Sequence, residues 1–113
     1  MKQIITYIRP AVLERVTEAL RSIDGLTGMS VMEIRGFGQG RGASCQDLGE
    51  TELTYFCKKV RIELMVVDAI VPEVVDTIQE KARTGERGEG KIYVVNVEEA
   101  VRIRTNERGE AAI

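Results

Sequence analysis

Thr84-Gly85-Glu86-Arg87-Gly88-Glu89-Gly90-Lys91 runs directly into Ile92-Tyr93-Val94-Val95, and the fold is read outward from this junction. A helix-like segment precedes it and an apolar strand follows. Gly88 and Gly90 carry no Cβ, so the backbone there can turn tightly, approach a ligand closely and aim its N–H groups at it. Lys91 adds a cation at the loop's exit. A phosphate cradle is one reading, and a polar turn between helix and strand is the other. The pattern is not the G-x-x-x-x-G-K-[ST] phosphate loop, because Ile92 follows Lys91 and the loop enters a strand rather than a helix.

Upstream of the loop, Val71, Val74, Val75, Ile78 and Ala82 recur at helical spacing, and Pro72 sits where it can open that helix. Before it, Val60, Ile62, Leu64 and Val66 alternate with Arg61, Glu63 and Met65, which predicts a strand over 58–67. The first half repeats the plan. Residues 2–9 read as a central strand, with Ile4, Thr6 and Ile8 on one face and Ile5 and Tyr7 on the other. Pro10 opens a helix whose stripe is Val12, Leu13, Val16, Ala19, Leu20 and Ile23, ended by Asp24-Gly25 and Thr27-Gly28. A second strand spans 29–37, with Met32 and Ile34 opposite Glu33 and Arg35. The fourth strand covers 91–97. The order strand, helix, strand, then strand, helix, strand predicts an α+β fold. It is the ferredoxin-like double βαβ, a four-stranded antiparallel sheet with both helices on one face. Ile5, Tyr7, Val95 and Val97 leave the other face partly apolar, so self-association is expected to cover it.

Two further stretches stand out. Gly36-Phe37-Gly38-Gln39-Gly40-Arg41-Gly42 has four glycines in seven residues, and a polar stretch follows to about Thr54. A structureless loop of this length in a small domain is uncommon and usually functional, and it is expected to move when nothing is bound. In Val101-Arg102-Ile103-Arg104-Thr105, alternation predicts an extended segment with Arg102 and Arg104 on one face. Two guanidiniums on one edge suit forked, charge-assisted bonds to phosphate, and a solvated edge strand is the plainer alternative.

The bulk properties narrow the classes. At 113 residues the chain is one domain, 43% apolar and 30% charged with a net charge of −2, so no basic excess points to nucleic acid. No apolar run approaches the roughly 20 residues of a membrane span, the N-terminus opens on a strand pattern rather than a signal peptide, and the expected location is cytoplasmic. The chain has no histidine, which removes the usual general base and the commonest metal ligand, so catalysis and a resident metal are not expected. Cys45 and Cys57 form neither a metal spacing nor a disulfide framework; two unrelated thiols are expected, with a reversible disulfide that stiffens the loop in oxidising conditions as the alternative.

Taken together the residues resemble the PII signal-transduction proteins over almost the whole chain. The likeness rests on Ile8-Arg9-Pro10, Leu26-Thr27-Gly28-Met29, Arg35-Gly36-Phe37-Gly38, Thr84-Gly85, Gly88-Glu89-Gly90-Lys91-Ile92 and Arg102-Ile103-Arg104-Thr105. It implies a homotrimer binding ATP or ADP in clefts between subunits, with Mg accompanying ATP. It also implies a long T-loop, here about 37–57, that grips a membrane transporter or a metabolic enzyme in nitrogen or inorganic-carbon metabolism. By this resemblance Gly36, Phe37, Gly38 and Gln39 form a phosphate-facing turn. Gly88, Glu89, Gly90 and Lys91 form a second phosphate loop within 84–91. Arg102 and Arg104, in a C-terminal segment 101–113, meet the phosphates, and Met29, Ser30, Glu63 and Met65 lie near the adenine. Gly40, Arg41, Gly42 and Lys59 fall at the effector site.

Some positions depart from the family pattern. Glu52 stands where the T-loop's modified tyrosine usually does, and has no hydroxyl. Gly40 replaces a glutamine that holds Mg and frames 2-oxoglutarate, so bicarbonate or the ATP/ADP ratio is the alternative input. Glu89 replaces an aspartate and Tyr93 a phenylalanine. A nucleotide-hydrolysing enzyme of the same fold is the rival reading, although nothing in the sequence would position an attacking water. A bare structural or metal-tolerance module is the third.

Overall fold

The computed structural model describes residues 1–38 and 56–113. The elements are β1 (Lys2–Ile8), α1 (Leu13–Arg21), β2 (Ser30–Gly36), β3 (Cys57–Val66), α2 (Val71–Ala82) and β4 (Lys91–Asn96). The sheet order is β2-β3-β1-β4, and every pairing is antiparallel. This is the expected ferredoxin-like arrangement. The strands begin or end one residue away from the expected limits, as chain ends do. Each proline lies in an opening turn. Pro10 starts a short 3-10 turn, Pro10–Val12, ahead of α1, and Pro72 sits in the first turn of α2 behind the 3-10 turn Asp68–Ile70.

Both helices bury their apolar stripes on one sheet face. Val16 and Leu20 of α1, and Val74 and Ile78 of α2, meet Ile4, Ile8, Val60, Ile62, Leu64 and Val66 in one cluster. Thr6 shares that face at 1% exposure, and its hydroxyl donates to the Lys91 carbonyl at 3.1 Å, so the buried polar group is satisfied. The strand at the centre of the cluster, β3, buries every second residue from Val60 to Val66.

The opposite face is bare. The registers place Ile5, Tyr7, Tyr93, Val95, Arg61, Glu63, Met65 and Met32 on it. Tyr7 and Tyr93 meet edge to face, 6.3 Å between centroids, and Arg61 lies 5.9 Å above the Tyr7 ring. Arg61 also pairs with Glu63 at 2.8 Å, yet its buried Nε finds no hydrogen-bond partner among the described residues.

Two expectations are corrected. Residues 101–105 are not an extended edge. Val101 forms an isolated bridge to Arg108, and 103–105 are a turn. Asn106 adopts a left-handed φ of 60°, its N–H donates to the Arg102 carbonyl at 2.8 Å, and Arg102 N–H donates to the Glu107 carbonyl at 3.0 Å. Short-range turn chemistry thus overrides the alternation of Val101 to Arg104. Ile103, expected opposite the two arginines with Val101, projects from the turn at 99% exposure. The second correction is at Cys57. It is buried at the start of β3 and disulfide-bonded, not an unrelated thiol. Cys45 lies outside the described residues, as does most of the glycine-rich loop and its expected mobility.

Candidate functional site

The loop after α2 is shaped by groups distant in sequence. Gly85, Gly88 and Gly90 adopt φ of 89°, 78° and 116°. At Gly90 the need is absolute, because a Cβ would stand 1.6 Å from the Tyr7 carbonyl oxygen. The loop therefore lies directly on the end of β1, which delivers Lys91 to its register position opposite Tyr7.

Arg9, at the exit of β1 and only 8% exposed, reaches into this loop. Its Nη1 donates to Thr84 Oγ1 at 3.2 Å and pairs with Glu86 at 2.7 Å, and its Nη2 donates to the Arg87 carbonyl. Lys59 on β3 donates its Nζ to the Gly88 carbonyl at 2.5 Å. Burial, followed by repulsion from Arg9, holds the Lys59 ammonium below the usual lysine range. Glu89 closes the loop on itself. Its carboxylate accepts from the Thr84 hydroxyl at 2.5 Å and from the amides of Thr84 and Gly85. Those bonds, the Thr84 hydroxyl first, hold Glu89 below the usual carboxylate range.

The held carbonyls decide where the amides point. A trans peptide sets each C=O opposite to the next residue's N–H, and the described chain has no cis bond. With Arg87 O drawn to Arg9 and Gly88 O drawn to Lys59, the amides of Gly88 and Glu89 point away from both cations. Two successive outward amides beside an exposed Lys91 are a donor set suited to an anion.

The other expected residues are placed as follows. Ser30 and Glu63 are direct cross-strand partners, and Met65 is two residues on along the same face. Met29 departs from the expected group, since it packs half-buried against the helix-side core. Gly36 pairs with Cys57 in register, and Phe37 is exposed and stacks edge-on with Phe56 at 6.1 Å. Gly38 has open space around it. Gln39, Gly40, Arg41 and Gly42 lie outside the described residues.

Among the described residues no hydrogen bond or ion pair joins the arginine turn to the loop. Arg102 pairs with Glu107 at 2.8 Å and donates to the Ala111 carbonyl at 3.0 Å. Hydrogen bonding from Thr105, then the nearby Arg102 charge, holds Glu107 below the usual carboxylate range. The side chains of Arg104 and Lys91 form no hydrogen bond or ion pair among the described residues. Reading the sequence missed Arg9, Thr84 and Glu86 as shaping residues. The usable signal was a cation placed at the exit of an apolar central strand, where burial demands acceptors.

Comparison with known proteins agrees with the fold. The profile of the family "Nitrogen regulatory protein P-II" matches residues 1–107. The nitrogen regulatory protein P-II of Rhodospirillum rubrum is 46% identical over 113 residues, covering all of both chains. Those of Klebsiella oxytoca and Escherichia coli strain K12 (the latter named P-II 1) are 45% identical, again over both full lengths.

Proposed function

Because the chain belongs to the nitrogen regulatory protein P-II family, it is a regulatory signal-transduction protein rather than an enzyme, and we propose that ATP and ADP are its ligands. The observation that carries this reading is the held loop, where two carbonyls are turned inward onto Arg9 and Lys59 and two amides are left outward beside Lys91. A nucleotide's phosphates are the anion that such a donor set fits. Arg104 is free to add a forked contact, with Arg102 beside it, and Ser30, Glu63 and Met65 offer a surface for the adenine. Mg, where present, accompanies ATP.

The binding unit is a homotrimer with nucleotide in the clefts between copies. The bare sheet face supports self-association, because Ile5, Tyr7, Tyr93 and Val95 gain from burial and Arg61 Nε gains an acceptor. Residues 37–57 engage the regulated partner, a membrane transporter or a metabolic enzyme in nitrogen or inorganic-carbon metabolism. No helix of the described residues is long and apolar enough to cross a membrane. Gly40 supplies no side-chain ligand to a cation that needs near-octahedral oxygen coordination, so 2-oxoglutarate binds weakly or not at all. Bicarbonate meeting Lys59 or Arg41, or the ATP/ADP ratio, is then the input.

Calorimetric titration with ATP and ADP tests the reading. The two compete for one site, and replacing Lys91 and Arg104 together by alanine weakens binding by about 3 kcal/mol. Unchanged affinity in the double variant overturns the site. Light scattering that gives a monomer mass at micromolar concentration overturns the trimer.

A further inference from the structure

We infer that Arg9 is a positioning residue for nucleotide binding, acting through the loop and not by touching the ligand; this rests on the nucleotide reading above. Arg9 is almost fully buried, and its two terminal nitrogens bond to one short stretch, at Thr84, Glu86 and Arg87. A buried guanidinium is costly unless its donors are matched, so the loop and Arg9 hold each other in place. The Thr84 hydroxyl joins this contact to the Glu89 carboxylate, accepting from Arg9 and donating to Glu89. One buried cation thus fixes both ends of the loop. At one end the Thr84 and Gly85 amides are given to Glu89. At the other the Arg87 carbonyl is turned inward, which turns the Gly88 amide outward. Lys59 repeats the action one peptide later, on the Gly88 carbonyl.

Arg9, Lys59, Arg87 and Lys91 gather at one stretch that carries only the carboxylates Glu86 and Glu89, so the loop is short of negative charge. A bound polyphosphate supplies it. Arg9 therefore contributes twice, by setting the direction of the Gly88 amide and by adding to the positive field behind it.

The test compares the full chain with Arg9→Met, Arg9→Lys and Thr84→Val by amide exchange without nucleotide and by calorimetry with ATP. In Arg9→Met, exchange at Thr84 and Gly85, whose amides are given to Glu89, rises and ATP affinity falls, each by about tenfold or more, the worth of one charge-assisted bond. Exchange at Ile4 and Ile62 in the sheet stays as in the parent. Arg9→Lys recovers part of both effects, because an ammonium still reaches one acceptor. Thr84→Val keeps the shape, cuts the link to Glu89 and shifts both readouts in the same direction, so the idea stays testable if Arg9→Met does not fold. Loop exchange and affinity within twofold of the parent in Arg9→Met, or in Thr84→Val should that variant alone fold, overturn the inference. A parent chain that binds no ATP defeats the nucleotide reading, while the exchange data still decide whether Arg9 positions the loop.

Discussion

The loop 84–90 and the turn 101–108 flank β4 and both present positive charge, but they are held in opposite ways. The loop is held from afar. Arg9 lies 75 to 78 residues from its acceptors and Lys59 lies 29 from Gly88. The turn is held by near neighbours. Arg102 meets Glu107 five residues on, Thr105 meets Glu107 two residues on, and Arg108 bonds Asn106 two residues back and Glu99 nine residues back. The loop's shape is thus a property of the whole fold, whereas the turn carries its shape in its own sequence. One is clamped by the sheet, and the other keeps Arg102 engaged while the Arg104 side chain makes no bond among the described residues.

The two glycines that bound these regions give the largest expected contrast. Gly90→Ala puts a Cβ into the Tyr7 carbonyl and forces β1 and β4 apart at Lys91, costing about 3 kcal/mol or more in denaturant unfolding. Gly109→Ala meets nothing within 4 Å and suffers only its φ of 73°, costing about 1 kcal/mol. Equal losses in the two variants would mean that the loop is not pressed onto β1.

Acid sharpens the contrast at smaller amplitude. Glu89 and Glu107 both have carboxyls held below the usual range. For such groups the unfolded chain takes up protons first as pH falls, so their stabilisation is complete above the ordinary glutamate range and is lost below it. Protonated Glu89 releases the Thr84 and Gly85 amides, but Arg9 and Lys59 still hold the Arg87 and Gly88 carbonyls. Protonated Glu107 weakens the contacts to both Arg102 and Thr105. Amide protection, corrected for the intrinsic exchange rate and followed from neutral pH downward, therefore falls more in 102–107 than at Glu86, whose N–H donates to the Arg9-bound Thr84 hydroxyl. A loop that opens first contradicts the clamp. The smallest effect is that of Glu107→Gln at neutral pH, a slight fall in thermal unfolding temperature, as expected of an exposed pair.

What was legible in the sequence follows the same division. The strands and helices were legible because each repeats one period over many residues, as Val60 to Val66 and Val12 to Ile23 do. The glycines of the loop announced a tight approach, and Gly90 makes it. The clamp was not legible, because nothing near residue 84 says that Arg9 will be buried beside it. The turn was misread for the opposite reason. Val101 to Arg104 alternate over too few residues to outweigh Asn106 in a left-handed conformation and the Thr105–Glu107 contacts that follow. Met29 was grouped with Ser30 by the family resemblance, and it lies just ahead of β2, half-buried against the helix-side core.

The central claim is that the outward amides of the loop receive a nucleotide's phosphates. Its most direct test is a titration of ATP into the isotope-labelled full chain, following the backbone amides of Gly88 and Glu89. The account predicts large, saturable shifts at those two amides with the same midpoint as the calorimetric isotherm. ATP that binds while both amides stay unmoved, or that does not bind at all, contradicts it.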